Sequence, residues 1–273
     1  MTHISAVKTP KNHVPYSSCQ SRRVETEETS LLREDVDVTV ILCAYNEESF
    51  IDSAIEKVDG VMAETGSNYE VIVVDDGSVD RTAQKTMTYM NEKGNGHMKL
   101  ISYEKNKGKG NALRMGVAEA KGDFIVMIDS DLDVDPRAIP RFIDALKTND
   151  IAVGSKWHPC SHTSVPLKRK ILSIGFNVIS RLATGIKLKD TQTGLKAFRK
   201  EVLNRMAHKF VVERYAFDLE LVGACNHAGY KIVDLPVDIN VNSMVSLMDV
   251  LRMTVDMFAI AYRLRAQKYY QRD

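Results

Sequence analysis

The chain has little cysteine, and what it has is scattered. Cys19, Cys43, Cys160 and Cys225 lie far apart among 273 residues. No Cys-x-x-Cys pair and no framework spacing is present, so a disulfide scaffold is excluded and a reducing compartment is expected. Long apolar runs are also missing. No uninterrupted stretch reaches the roughly 18 residues of a membrane span, and the first residues lack a basic-then-apolar signal. The expectation is a chain that neither crosses a membrane nor is exported. Charge of one sign is lacking too: the formal net charge of +1 offers no global attraction to nucleic acid, so any contact with a membrane or polyanion must be local. The seven histidines join no motif. His158, Cys160 and His162 lie close together, but no fourth zinc ligand accompanies them.

What is present is a chain 44% apolar and 27% charged, long enough for a substantial core. Residues 1–35 are polar and without hydrophobic period, which predicts a mobile tail outside the fold. From residue 37 the pattern is regular. "DVTVILC", "YEVIVVD", "MKLISYE", "DFIVMID" and "IAVGSK" predict buried strands. Between them, "ESFIDSAIEKVDGVMAE", "DRTAQKTMTYMNEK", "GNALRMGVAEA" and "PRAIPRFIDALKT" predict helices. This alternation predicts an α/β fold with a mainly parallel twisted sheet covered by helices, and ligands at the carboxyl ends of its strands.

The second half differs. Residues 165–185 and 246–270 predict two amphipathic helices with more apolar surface than one buried stripe requires. Core helices or a dimer interface account for this as well as a pair of helices lying in a membrane surface, with Lys168, Arg169, Lys170, Arg263, Arg265 and Lys268 toward anionic headgroups. Four methionines, Met244, Met248, Met253 and Met257, fall near helical spacing there, and packing explains them.

Acidic residues gather at the ends of the predicted strands. "DSDLDVDP" follows an apolar run, and an extended backbone would begin Asp129, Asp131, Asp133 and Asp135 on one side. Such crowding disfavours folding unless something cancels it, and a divalent cation does so through carboxylate oxygens. An EF-hand loop is excluded, because its glycine and glutamate positions hold Val134 and Pro140. A solvated loop whose aspartates cap a helix near Pro136 is the alternative. "AYNEE" and "VDDGSVDRT" each lie between strand and helix, where a nucleoside can be held. "NKGKGNALRMG" is a glycine-rich basic turn suited to a pyrophosphate through Lys107 or Lys109 and a helix N-terminus.

In order and spacing, "VTVILCAYNEE", "EVIVVDDGSVDRT", "NKGKGNALRMG", "GDFIVMIDSDLDVDP" and "DTQTGLKAF" resemble the successive motifs of family 2 glycosyltransferases with the GT-A fold. Through "KDTQTGLKAFRKEV" and "VERYAFDLELVGAC", the chain is most similar there to dolichyl-phosphate glucosyltransferases and other polyprenyl-phosphate glycosyltransferases. The resemblance covers roughly residues 37–265 and, after the tail at 1–35, implies a GT-A domain at 36–240, with a nucleotide-sugar half at 36–150 and an acceptor half at 151–240. An interfacial amphipathic helix at 241–273 follows. It implies donor contacts from Ala44, Tyr45, Glu47, Asp75, Asp76, Lys109 and Ser130, and Mg²⁺ or Mn²⁺ on Asp129, Asp131 and Asp133. Asp129, Asp131 and Asp190 are the implied catalytic residues, with Asp190 orienting substrate or acting as a base. Lys156 and Arg169 are implied for the acceptor phosphate, and Gln192 and Asp218 for orienting sugar or acceptor. Lys156 stands where relatives commonly carry arginine, keeping the charge without the bidentate fork. Val237 to Leu247 lacks the Gly-Ser-Lys that relatives often carry after the preceding strand.

The implied activity is inverting transfer of one sugar from a nucleotide donor, UDP-glucose or UDP-N-acetylglucosamine, to dolichyl or polyprenyl phosphate. It would take place on the cytoplasmic side of a membrane and serve glycosylation. A phosphate monoester is largely anionic at neutral pH and attacks without a strong general base. The rival readings are a glycosyltransferase with a soluble or saccharide acceptor, and a catalytically silent nucleotide-sugar-binding protein.

Overall fold

The computed structural model of the chain describes residues 22–23, 36–93, 96–164, 167–214, 216–240, 247–267 and 269–270, without the side chains of 22, 23, 164, 167–169, 171 and 247–250. Strands and helices alternate in the order expected of β-branched runs separated by amphipathic segments. They are β1 (Arg22–Arg23), β2 (Val38–Ala44), α1 (Ile51–Glu64), β3 (Tyr69–Asp75), α2 (Thr82–Lys93), β4 (Met98–Ser102), α3 (Lys109–Glu119), β5 (Phe124–Asp129), α4 (Ile139–Ala145) and β6 (Ile151–Ser155). The rest are β7 (Thr163–Ser164), α5 (Leu167–Thr184), β8 (Lys196–Arg199), α6 (Lys200–Met206), α7 (Phe217–His227), β9 (Ile232–Pro236), β10 (Ile239–Asn240) and α8 (Leu247–Arg265).

The main sheet has the order β1-β4-β3-β2-β5-β8-β6-β9. Its β4, β3, β2 and β5 are mutually parallel, as are β6 and β9. β8 enters between β5 and β6 antiparallel to both. Nothing in the hydrophobic pattern announces β8: it has four residues, begins with lysine and ends with arginine. The edge strand β1 pairs antiparallel with β4 at Ser102 and Ile101.

From β2 the chain winds through β3 to β4 on one side, then returns to place β5 on the other side of β2. The direction of winding therefore reverses between β2 and β5. In open α/β sheets a crevice forms outside the strand ends at such a switch point, and ligands bind there.

Both faces of the sheet are buried, which explains the continuous apolar character of its strands. On one face Val40, Leu42, Val71 and Val126 pack with Ile55, Val58 and Phe142 from α1 and α4. On the other, Ile41, Ile72 and Ile125 pack with Leu113, Phe217 and Leu221 from α3 and α7. α8 joins this second core through Met257, Ile260 and Leu264. Along α8, Leu251, Val255, Phe258 and Tyr262 form an outward stripe, each more than half exposed at 56%, 69%, 58% and 61%. α5 packs beside α8, where Ser180 Oγ lies 3.2 Å from Met257 Sδ, and leaves Leu172, Val178, Ile179 and Leu182 exposed. Among the described residues no helix is long and apolar enough to cross a membrane.

Candidate active site

The β2/β5 switch point carries the acidic residues. Cys43 pairs with Asp129 across the two strands, and Ala44 pairs with Asp75 across β2 and β3. Beyond β2 the turn bends at Asn46, whose φ of 57° falls in the left-handed region that asparagine tolerates. The turn is clasped onto the next loop: Asn46 N donates to Ser78 Oγ (2.9 Å), Val79 N to Asn46 Oδ1 (3.0 Å), and Glu47 N to Thr82 Oγ1 (2.8 Å). Buried Ala44 accepts from Asp76 N at 2.8 Å, and Tyr45 is 46% exposed above the crevice.

Asp75 and Asp76 are buried and brace this rim. Asp75 accepts from Ser78 N (3.1 Å) and Ser102 Oγ (2.9 Å). Asp76 accepts from Tyr103 Oη (2.6 Å), Asn106 Nδ2 (3.0 Å), Lys107 N (2.9 Å) and Gly108 N (2.8 Å). Its carboxylate thus holds the glycine-rich turn in place. Gly108 has φ of 93°, and a Cβ there would lie 2.2 Å from Glu213 O, while Gly110 N donates to the same carbonyl at 2.9 Å. The amides at the start of α3 are engaged by protein acceptors, Asp76 and Glu213.

Lys109, at the first position of α3, points inward. Its ammonium lies 2.7 Å from Asp129 Oδ1 and 3.1 Å from Asp218 Oδ2. Asp218 in turn pairs with Lys196 at 2.8 Å, a fully buried lysine on β8 that also donates to Thr193 O. Charges alternate along this line of four, so the buried Asp218 and Lys196 and the half-buried Lys109 and Asp129 each face an opposite charge. Burial opposes the charge on Lys109, but Asp129 and Asp218 overcome it and hold its pKa above the usual lysine range. Burial lowers that of Lys196, with Asp218 opposing. Burial would raise Asp218, but the two lysines bring it below the usual carboxylate range. The other oxygen of Asp129 meets Gly194, where a Cβ would come within 2.5 Å of it. Burial also keeps the nearby Cys43 thiol neutral, its pKa pushed up to about 12.

The aspartate run does not stay extended. β5 ends at Asp129, Ser130 donates its hydroxyl to Cys43 O at 2.9 Å, and Leu132 turns left-handed with φ of 58°. Asp133 N then donates to Asp131 Oδ1 at 3.0 Å, and Asp135 caps the following turn by accepting from Arg137 N at 2.9 Å. The expected alternation is therefore broken after one strand residue, because the backbone bonds close a tight turn. Asp133 lines an open groove of about 1240 Å³ with Lys57, His162 and Asp238. Half-buried Glu47 faces this cluster. Burial, with Asp131, Asp129, Asp80 and Asp133 around it, raises its pKa from 4.5 to about 7. That like-charge crowding and the all-oxygen donor set fit a hard divalent cation, with Asp129, Asp131, Asp133 and Glu47 as candidate holders. Among the described residues no three His, Cys, Asp or Glu side chains converge as a finished cage.

Across the crevice, Asp190 is buried and closely engaged. It lies 3.1 Å from Lys156 Nζ and accepts from Thr193 Oγ1 (2.8 Å), Gln192 N (3.1 Å) and Lys156 N (3.2 Å). Gln192 is half-buried on the same loop. The side chain of Arg169 and all of residues 241–246 lie outside the described residues. Lys196, Gly194 and Tyr103 were not singled out by sequence. A lysine opening a short segment looks solvated, and only its position on a central strand buries it.

The sheet order and the acidic switch point define a GT-A type α/β fold. Residues 39–206 match the model of the family described as "Glycosyl transferase family 2", and the chain belongs to that family of glycosyltransferases. It is 30% identical over 250 residues to a dolichyl-phosphate beta-glucosyltransferase of Homo sapiens, covering 83% of this chain and 75% of that one. It is 28% identical over 218 residues to a dolichyl-phosphate beta-glucosyltransferase of Dictyostelium discoideum, covering 75% of this chain and 67% of that one. A dolichol-phosphate mannosyltransferase of Pyrococcus furiosus is 35% identical over 185 residues, covering 64% of this chain and 51% of that one. Among solved structures, glucosyl-3-phosphoglycerate synthase from Mycobacterium tuberculosis with UDP superposes with a TM-score of 0.64 at 20% identity, covering 90% of this chain and 84% of that one. At that identity the likeness concerns the fold.

Proposed function

We propose that the protein transfers one sugar from a uridine diphosphate donor, glucose or N-acetylglucosamine, to dolichyl or another polyprenyl phosphate, with inversion. The observation that carries the lipid acceptor is the placement of the apolar stripes of α5 and α8. α5 is tied to the acceptor side of the crevice, since Asn177 Nδ2 donates at 2.6 Å to the carbonyl of Lys189, the neighbour of Asp190. A lipid chain lying along that face would bring its phosphate toward Lys156. Named relatives that act on dolichyl phosphate support the same reading.

The acceptor phosphate arrives as an anion, so its oxygen attacks the anomeric carbon without prior proton removal. The bond from that carbon to the acceptor oxygen forms as its bond to the diphosphate oxygen breaks, and the nucleoside diphosphate departs. Mg²⁺ or Mn²⁺, when bound, neutralises charge on that leaving group. Asp129, Asp131 and Asp133, with Glu47 beside them, would hold the ion. Ala44, Tyr45 and Glu47 form the donor rim that Asp75 and Asp76 brace, and Ser130 fixes the β2/β5 junction beneath it. Asp190 positions Lys156 for the phosphate, Gln192 extends that loop toward the sugar, and Asp218 steadies Lys109. Arg169 is a second candidate for the phosphate.

The test incubates the full chain with Mn²⁺ and a short polyprenyl phosphate, separately with labelled UDP-glucose, UDP-N-acetylglucosamine and GDP-mannose, then extracts into organic solvent. Metal-dependent label in the organic phase is expected from a UDP-sugar. Absence of label with every donor, from protein that binds nucleotide, would overturn the lipid acceptor. Label from GDP-mannose alone would overturn the uridine donor.

A further inference from the structure

Asp129 is already paired with a cation of the protein's own. Its Oδ1 lies 2.7 Å from the Lys109 ammonium, and Gly194 closes against its Oδ2, so the carboxylate is confined from both sides. The pair is not sealed from solvent: 24% of the Lys109 side chain and 33% of the Asp129 side chain remain exposed, at the carboxyl end of β5 beside β2. On its inner side Lys109 is held by Asp218 at 3.1 Å, and Lys196 shares Asp218 at 2.8 Å. Lys196 therefore takes up part of Asp218's charge and leaves Lys109 weighted toward Asp129.

We propose that Lys109 is an internal counter-cation that holds Asp129 in the donor-free protein and passes to the diphosphate when the nucleotide arrives, so that metal and nucleotide enter together. The inference rests on the donor site proposed above and adds to it a coupling between metal and nucleotide binding. A divalent ion approaching Asp129 alone meets the Lys109 charge a few ångströms away, and like charges at that distance repel strongly outside bulk water. A nucleoside diphosphate changes both terms. Its oxygens offer Lys109 another anion and supply ligands that no three acidic, His or Cys side chains among the described residues converge to provide. Arginine at 109 would preserve the charge, whereas methionine would preserve length and burial without it.

The test measures Mn²⁺ binding by the loss of the free-ion paramagnetic resonance signal, on the full chain, with and without UDP. Wild type is expected to bind Mn²⁺ about tenfold or more tightly when UDP is present. Lys109→Met is expected to bind Mn²⁺ about tenfold more tightly than wild type without UDP, and to lose most of the gain that UDP confers. Lys109→Arg is expected to keep the wild-type pattern. Equal Mn²⁺ affinity with and without UDP, from wild type shown separately to bind UDP, would overturn the proposal, whether or not any variant folds. So would a folded Lys109→Met, judged by its melting curve, with unchanged donor-free affinity. Failure of the donor-site reading looks different: UDP would then fail to bind wild type at any Mn²⁺ concentration.

Discussion

Lys156 and Asp190 form an ion pair at the carboxyl end of β6, with Nζ 3.1 Å from a carboxylate whose side chain is only 2% exposed. Asp190 also accepts the Lys156 amide, so it fixes both the backbone and the ammonium of one residue. A carboxylate so occupied positions its neighbour and is poorly placed to take a proton from a substrate. Asp190→Asn is expected to raise the acceptor's KM by about tenfold, the worth of one charge-assisted bond, and the donor's KM much less. Steady-state kinetics against each substrate read this directly. A pure kcat loss with a sigmoid fall in rate below a single pKa would instead make Asp190 a base.

Glu220 ties the last helix to the site. Its Oε1 accepts from Tyr270 Oη and from Arg263 Nη2, the latter at 3.1 Å, and its Oε2 accepts from Val211 N at 2.8 Å and Val212 N at 2.7 Å. Glu213, next along, accepts from Gly110 and sits against Gly108. Deleting residues 247–273 removes Arg263 and Tyr270 and leaves a buried carboxylate without its cation. Such losses cost about 3–5 kcal/mol. Urea denaturation should show a drop of at least that size, because Met257, Ile260 and Leu264 leave the core with the helix, and an unchanged midpoint would mean that Glu220 does not depend on α8.

Because of that dependence, membrane contact is better tested on the surface than by deletion. Leu251, Val255 and Phe258 face outward. Replacing all three with serine should shift the protein from pelleted anionic liposomes to the supernatant. Stability should move by no more than about 0.5 kcal/mol per site, as for surface positions. Unchanged sedimentation would assign the stripe to contacts between proteins.

Glu47 links the site to pH. Its folded pKa of about 7 lies above its ordinary 4.5. The folded state therefore binds more protons than the unfolded one between those values, and stability falls as pH rises through that window. Metal-free protein should melt at lower temperature at pH 8 than at pH 5 on this account, with the slope reduced in Glu47→Gln. Added Mn²⁺ should recover stability at pH 8. An identical pH slope in Glu47→Gln would remove Glu47 from the cluster.

The runs "VTVILC", "VIVVD" and "FIVMID" determined their own burial, because strands covered on both faces must be apolar throughout. Their order predicted the parallel sheet and put Asp75, Asp129 and the Ala44 to Glu47 turn at strand ends. Apolar excess in 165–185 and 246–270 likewise predicted two helices but left their outward faces ambiguous, since period reports amphipathicity and not what covers it. Only the tertiary structure decided the partners. Lys109 meets Asp218 across 109 positions, and Glu220 meets Tyr270 across 50. Local pattern carries no trace of such pairings. The insertion of β8 decided the burial of Lys196, and the left-handed turn at Leu132 decided that four alternate aspartates would not share one face. Charge can be counted along a chain, but its neutralisation depends on which distant groups the fold brings within hydrogen-bonding distance.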